Sequence, residues 1–393
     1  MTWRGFRVLI AIILIALLCK ACLVKDTVPN NQKRIQTESD KLQVNYPAPK
    51  NVTINGIDYL ESTAPIGKFG GELVSSTIGE GPKTFNPFNC KDNTSQTMAS
   101  IMYDGLLTSD PITGQPTPKL AKSFSISPNG KTYTIKLRCG IKWSDGKPIT
   151  ADDVVFTWND IIFAGLGDTS TRDSIVIDGK LPTVKKIDNY TVEFTTPKPF
   201  APFIRMLSTS IAPKHVFMPA IKKGPAYFDS FLSTNTKPSD FVVSGAFKLK
   251  EYVPAQRVVF ERNPNYYEIN SKGQKLPYLD KLVYLIVGDL NNEVLKFEAK
   301  ELDVISLQGS KVARYKSLEP HSDFKLYNLG PDTGTMYLSM NLNNRKNNKG
   351  KYYVDPDKQM WFQDLDFRKA VDYAIDRKNM VLNIANGIGA PLF

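Results

Sequence analysis

Three carboxylates crowd one short stretch: Asp145 in Ser144-Asp145-Gly146-Lys147-Pro148, then Asp152 and Asp153 just after Thr150-Ala151. Paired carboxylates can divide the general acid and base roles of a hydrolase. Local structure accounts for all three without catalysis. Asp145 lies in a turn, where Asp-Gly makes the bend and Pro148 fixes φ. Asp152 and Asp153 fall in the first turn of a helix, where negative charge is favoured. With two histidines in the chain, a histidine-rich metal site is excluded, and His215 is expected to be a structural surface residue. No H-E-x-x-H, G-x-S-x-G, P-loop or dinucleotide fingerprint occurs. The residues argue against an enzyme and imply no cofactor and no metal.

The elements that must position these residues are read from periodicity. Tyr133, Ile135 and Leu137 alternate with Thr134, Lys136 and Arg138, the pattern of a half-buried strand. Thr150 and Asp153 form a capping-box pattern, with Ile149 and Val154 placed as the hydrophobic staple. Val154, Trp158, Ile161 and Ile162 then make an apolar helical stripe. Thr150→Ala is expected to cost about 0.5–2 kcal/mol of stability and nothing in ligand affinity.

At 393 residues the chain suggests two or more domains, and 41% hydrophobic with 23% charged residues is a globular composition. The net charge of +11 invites a nucleic-acid reading, but Lys and Arg are scattered among acids and form no basic helix, so no nucleic acid is expected. Arg4, Arg7 and the apolar Val8–Leu18 read as an export signal too short to span a bilayer comfortably. Ala21-Cys22 resembles a lipoprotein cleavage point, which makes Cys22 the expected lipidation site and attaches the protein to a membrane; an uncleaved anchor is the alternative. Export places Cys90 and Cys139 in an oxidising compartment, where they could pair or stay unpaired. Residues 23–68, polar and without periodicity, read as a flexible tether.

The run KTYTIKLRCGIKWSDGKPITADDVVFTW closely resembles the signature of the family 5 extracellular solute-binding proteins, the peptide- and oligopeptide-binding components of ABC importers. Further family-like segments follow in order: Thr84-Phe85-Asn86-Pro87, Tyr103-Asp104-Gly105-Leu106-Leu107, Pro118-Lys119-Leu120-Ala121, Pro213-Lys214-His215, Ser244-Gly245-Ala246-Phe247-Lys248-Leu249, Asn263-Pro264-Asn265-Tyr266-Tyr267 and Arg368–Arg377. The resemblance covers roughly residues 70–393. It implies an α/β, bilobed fold of the periplasmic-binding-protein type II kind. The implied division is a signal at 1–22, a tether at 23–68, a first lobe at 69–285 with a small domain inserted at about 106–196, and the start of a second lobe at 286–393. Relatives run on past Phe393, so the second lobe is expected to be incomplete and this form to bind peptide weakly or not at all. Carried over by position, ligand contacts are expected at Asn89, Cys90, Lys91 and Asp92, and at Ser244, Gly245 and Ala246. The implied protein is a monomeric, exported receptor that takes peptides to the permease subunits of an ABC transporter. Relatives binding nickel chelates, haem or sugars leave the solute open, and a sensory surface lipoprotein or a non-functional remnant is the other reading.

Among the later elements, Leu302–Ile305 and Tyr337–Asn341 read as strands, the first closing a βαβ unit with Leu282–Val287 and the helix Glu293–Lys300. Asp366–Asn386 reads as one long helix whose core face is Phe367, Val371, Ala374, Ile375 and Met380, stopped by Gly387.

Overall fold

The computed structural model describes residues 48–110, 113–329, 335–384, 387 and 389–392. The signal segment and Cys22 lie outside the described residues. Val44–Ser306 forms one compact unit, and Leu307–Phe393 belongs to another.

The first unit opens with a hairpin where a tether was expected. β1 (Lys50–Ile54) and β2 (Ile57–Glu61) pair antiparallel. Asn55-Gly56 turns between them with both residues at positive φ, the geometry that Asn-Gly adopts in two-residue hairpin loops. The tether expectation for 23–68 is therefore corrected at 50–61. β3 (Glu72–Ile78) and the helix Asn93–Met102 follow. β4 (Leu107–Ser109) and β5 (Pro116–Pro118) make a short ribbon.

β6 (Ala121–Ile126), β7 (Thr132–Leu137), β8 (Thr183–Asp188) and β9 (Thr191–Thr195) form an antiparallel sheet in the order β6-β7-β9-β8. Tyr133, Ile135 and Leu137 are buried, as their alternation predicts, and Tyr133 and Ile135 lie opposite Phe194 and Val192. A second sheet is built from β10 (Phe247–Val253) and β11 (Arg257–Arg262), while β12 (Glu268–Ile269) leaves to pair parallel with β2. β13 (Lys281–Val287) completes the second sheet, antiparallel to β11 and parallel to β3, in the order β10-β11-β13-β3. The parallel partner of β13 is thus β3, from near the start of the unit. Leu302–Ile305 is not a strand: Asp303 alone bonds β3, its N–H donating to the Val74 carbonyl at 2.8 Å and its carboxylate accepting from the Val74 N–H at 2.7 Å. The helix Leu290–Glu298 packs on β3 and β13, where Glu293 accepts from the Ser76 hydroxyl at 2.5 Å.

Two apolar cores result, and the signature stretch joins them. Val154, Trp158 and Ile162 pack with the β6–β9 sheet, whereas Phe156 and Ile161 pack with the β10–β11 side. The backbone is α-helical at Ala151–Phe156 and π-helical at Thr157–Ile162, where a plain helix was expected. The wider turn fits a segment that must bury residues on two sides, and the Thr157 hydroxyl holds the outer strand of chain by accepting from Ala212 N–H at 2.9 Å. At the helix start the expected capping box of Thr150 and Asp153 is present, and Asp153 is its more heavily bonded half. Its buried carboxylate accepts from Thr150 N–H at 2.9 Å and from Lys214 N–H at 2.9 Å, and burial pushes its pKa up against these two donors. Asp153→Ala is expected to cost about 2 kcal/mol, because it strands two amide donors. That is more than Thr150→Ala, and melting curves of the two variants compare them directly. An equal or smaller loss for Asp153→Ala would return the cap to the hydroxyl.

Among its described residues the second unit carries short helices, Gly309–Leu318, Pro356–Gln363, Leu365–Ala374 and Arg377–Asn383. Tyr315 and Phe324 pair with ring centroids 5.6 Å apart. The single helix expected over 366–386 is broken at Ile375-Asp376, where Asp376 caps the second piece by accepting from Asn379 N–H at 3.0 Å; residues 385 and 386 lie outside the described residues. Its expected core face is not buried: Phe367, Val371 and Ile375 are half-buried, and Ala374 and Met380 are exposed. Tyr337–Asn341 is not a strand. An apolar stripe predicts that a face wants burial, and among the described residues nothing buries this one.

Candidate functional site

The parallel pair β3 and β13 ends at two glycine-containing turns. The ladder runs one step past β3, with Gly79 N–H donating to the Val287 carbonyl at 2.8 Å. Gly79 and Gly81 then adopt φ of 103° and 88°, a left-handed geometry that favours glycine, and Glu80 between them is exposed. A Cβ on Gly81 would stand 2.6 Å from Ile286 Cδ1, the tip of a side chain that can turn away, so it is the positive φ that favours glycine here. On the other strand the chain passes Gly288 into Asp289, which caps the helix Leu290–Glu298 by accepting from Asn291 and Asn292 N–H. The helix Asn93–Met102 starts alongside: Thr94 Oγ1 lies 3.1 Å from Thr77 Oγ1, and Ser95 Oγ accepts from Lys83 N–H at 2.9 Å. An open cavity of about 450 Å³, lined by Ile286, Val287, Gly288, Asn292 and Leu295 among others, adjoins these ends. In open sheets with parallel strands, ligands gather at the carboxyl ends. This end offers main-chain groups, one free carboxylate and two helix N-termini. It can hold a polar ligand, and no nucleophile with an adjacent base stands there. Among the described residues no group of three or more His, Cys, Asp or Glu could hold a metal.

The residues expected from the sequence are placed as follows. The Asn89 amide donates to the Phe228 carbonyl at 2.9 Å and to the Asp229 carbonyl at 3.2 Å. Cys90 is buried, its thiol donating to the Asn86 carbonyl at 3.1 Å. Burial, with Asp92 and Asp168 nearby, pushes its pKa up to about 12, so it is neither nucleophilic nor paired, and Cys139 is also free. Asp92 caps the helix Asn93–Met102, accepting from Ser95 N–H at 2.8 Å and Ser95 Oγ at 2.7 Å. Lys91 is exposed. Ser244 is buried, its Oγ accepting from Asp104 N–H at 2.9 Å. Gly245 N–H donates to the Met102 carbonyl at 2.7 Å, and the Ala246 carbonyl accepts from Asn263 N–H at 2.9 Å. The two sets do not come together. Asp92 caps one end of a ten-residue helix and Gly245 sits on the other, about 15 Å away. His215 bonds Asp145 at 2.8 Å, tying the signature turn to the helix Lys214–Lys222.

Two groups escaped the sequence reading. The Gly79–Pro82 turn is not among the residues put forward from the sequence, although Gly-x-Gly spacing is a signal of a turn with positive φ. A polar cluster of Asp104, Lys119, Tyr266, Tyr267 and Glu268 gave no local signal, because its members are far apart in the chain. Tyr267, which stands where Trp is usual in the resembled motif, is fully buried and donates to Asp104 at 2.8 Å.

Comparison with known proteins matches residues 115–392 to bacterial extracellular solute-binding proteins, family 5 Middle. A probable ABC transporter-binding protein of Deinococcus radiodurans is 32% identical over 321 residues, covering 79% of this chain and 52% of that protein. A periplasmic alpha-galactoside-binding protein of Rhizobium meliloti is 31% identical over 283 residues, 68% of this chain and 39% of that protein. Among solved structures, the oligopeptide-binding protein AppA of Bacillus subtilis in complex with a nonapeptide aligns with a TM-score of 0.58 at 25% identity, over 82% of this chain and 57% of that one. The chain spans about half the length of the Deinococcus relative. The mixed α/β fold is that of periplasmic binding proteins, and the match over residues 115–392 settles the family: this chain belongs to the bacterial extracellular solute-binding proteins, family 5.

Proposed function

We propose that the protein is an exported receptor that captures peptides at the carboxyl ends of β3 and β13 and passes them to the permease subunits of an ABC transporter. On this reading a lipid on Cys22 holds it, as a monomer, at the outer face of the membrane. The observation that carries the reading is the paired strand ends, with exposed Glu80 and the main-chain groups around Gly79–Gly81 and Gly288. A peptide presents N–H and C=O groups at regular intervals, so main-chain bonding at strand ends accepts many sequences. The likeness to AppA, whose structure holds a nonapeptide, supports the same ligand class. A second reading, an α-galactoside, is favoured by the Rhizobium relative. Calorimetric titration with short peptides of unrelated sequence and, separately, with α-galactosides discriminates them. Weak heat from several peptides, in keeping with the weak binding expected of this form, and none from the sugars is expected; heat from the sugars alone would replace the reading.

A further inference from the structure

We propose that Lys119 is an electrostatic pin that locks the two sheets of Val44–Ser306 into one fixed arrangement, so that this unit moves as a single body. The chain passes between the two cores at Tyr103–Leu106, Ile211-Ala212, Val242–Phe247 and Phe260–Tyr266. The polar cluster sits at these crossings. Lys119 Nζ donates to Glu268 Oε1 at 2.5 Å and to the Tyr266 hydroxyl at 2.7 Å, and lies 4.0 Å from Asp104 Oδ1. The Tyr266 hydroxyl donates to Glu268 at 2.8 Å, and that of Tyr267 to Asp104 at 2.8 Å. The Lys119 ammonium stands 5.4 and 6.0 Å from the two tyrosine ring centroids. Asp104 is itself fastened to two crossing segments, its N–H donating to Ser244 Oγ at 2.9 Å and its carbonyl accepting from Ile211 N–H at 3.0 Å.

Every charged or titratable group facing the pin is accounted for. Asp104 and Glu268 oppose Lys119 and Arg138, whose guanidinium lies 5.9 Å from the Tyr267 ring centroid and whose Nε donates to the Lys119 carbonyl at 2.7 Å. Tyr266 and Tyr267 are neutral, with burial raising both. Asp58, paired with Lys122 at 2.9 Å, balances the outer side of Arg138. Removing Lys119 leaves Asp104 and Glu268 with no contacting cation. Burial already raises the Asp104 pKa, and Lys119 is the largest influence lowering it. Without Lys119 the folded-state value rises further above the unfolded one. The resulting loss of stability is then present above the folded pKa and is recovered as pH falls through it.

Lys119→Met, Asp104→Asn and the double variant test the pin by urea unfolding at about pH 8 and about pH 5, with amide exchange measured on the folded proteins. Lys119→Met is expected to raise the unfolding equilibrium constant roughly tenfold at the higher pH, a value discounted for the cluster's partial exposure. Most of that is regained at the lower pH, and most is also regained by adding Asp104→Asn, which removes the stranded charge. Exchange at Ile211 and Gly245 should accelerate ahead of β7 and β11, the mark of an opened junction rather than global unfolding. Equal deficits at both pH values, additive variants, or exchange that rises uniformly would show that Lys119 only packs. If Lys119→Met fails to fold at the higher pH, the double variant decides: a fold regained at that pH supports the pin, and a double variant that also fails to fold overturns it.

Discussion

Deleting Lys50–Glu61 is expected to cost the first unit about 3–5 kcal/mol, the loss typical when a buried charge is stripped of its partners. Arg138 is fully buried, and its Nη1 donates to Asn51 Oδ1 at 2.8 Å and to the Tyr59 carbonyl at 3.1 Å. From the hairpin side, Asp58 accepts from Lys122 at 2.9 Å and from Cys139 N–H at 3.0 Å. Leu60 and Ser62 N–H groups bond the Tyr267 and Ile269 carbonyls. Arg138→Ala in the intact chain removes the Asn51 and Tyr59 bonds, the ones that hold the buried charge, from the other partner. Both lesions together should therefore cost little more than either alone. Urea unfolding measures all three proteins, and an unchanged midpoint for the deletion would mean that 50–61 is a tether after all.

Gly245→Val is expected to cost about 3 kcal/mol, at the upper end of overpacking effects. For a unit of this size that lowers the melting temperature by roughly 6–12 °C. A Cβ at this position would lie 2.4 Å from the Ile101 carbonyl oxygen and 2.8 Å from the Met102 carbonyl carbon, and backbone cannot step aside as a flexible side chain can. The neighbouring bonds are also lost if the turn withdraws, since Gly245 donates to Met102 and accepts from the Asn263 amide at 2.8 Å. Circular dichroism melts follow it. A variant that melts with the parent would show that the helix end and the turn separate freely, and the junction described above would lose its foundation.

The comparison of sequence with structure divides along the range of the interactions. Tyr133, Ile135 and Leu137 and the Thr150–Asp153 start were legible because strand alternation and caps are written in neighbouring residues. β1 was not, since its side chains are mostly exposed and polar and leave no alternation to see. The pairing of β3 with β13 was not, because parallel strands meet across long separations with no local mark. That pairing is what places the candidate site, so the Gly79–Gly81 turn passed unnoticed while Asn89–Asp92 was put forward from resemblance. Asp92 shows how one residue type serves two readings: an acid before a helix is a cap by local rule and a ligand contact by analogy. The broken helix at Ile375-Asp376 shows a different failure. Its apolar period was real, and continuity over 366–386 was inferred from a motif, whereas Asp376 starts a new capped segment.

On the proposed reading, solute is held by the main chain where β3 and β13 end. Amide chemical-shift mapping tests it directly and detects weak as well as tight binding. Short peptides of unrelated sequence are expected to move the amide signals of Gly79, Glu80, Gly81 and Gly288 in common, while the amides of β7 stay still. Signals at those four residues that ignore every peptide, whether they respond to an α-galactoside or to nothing, would contradict it.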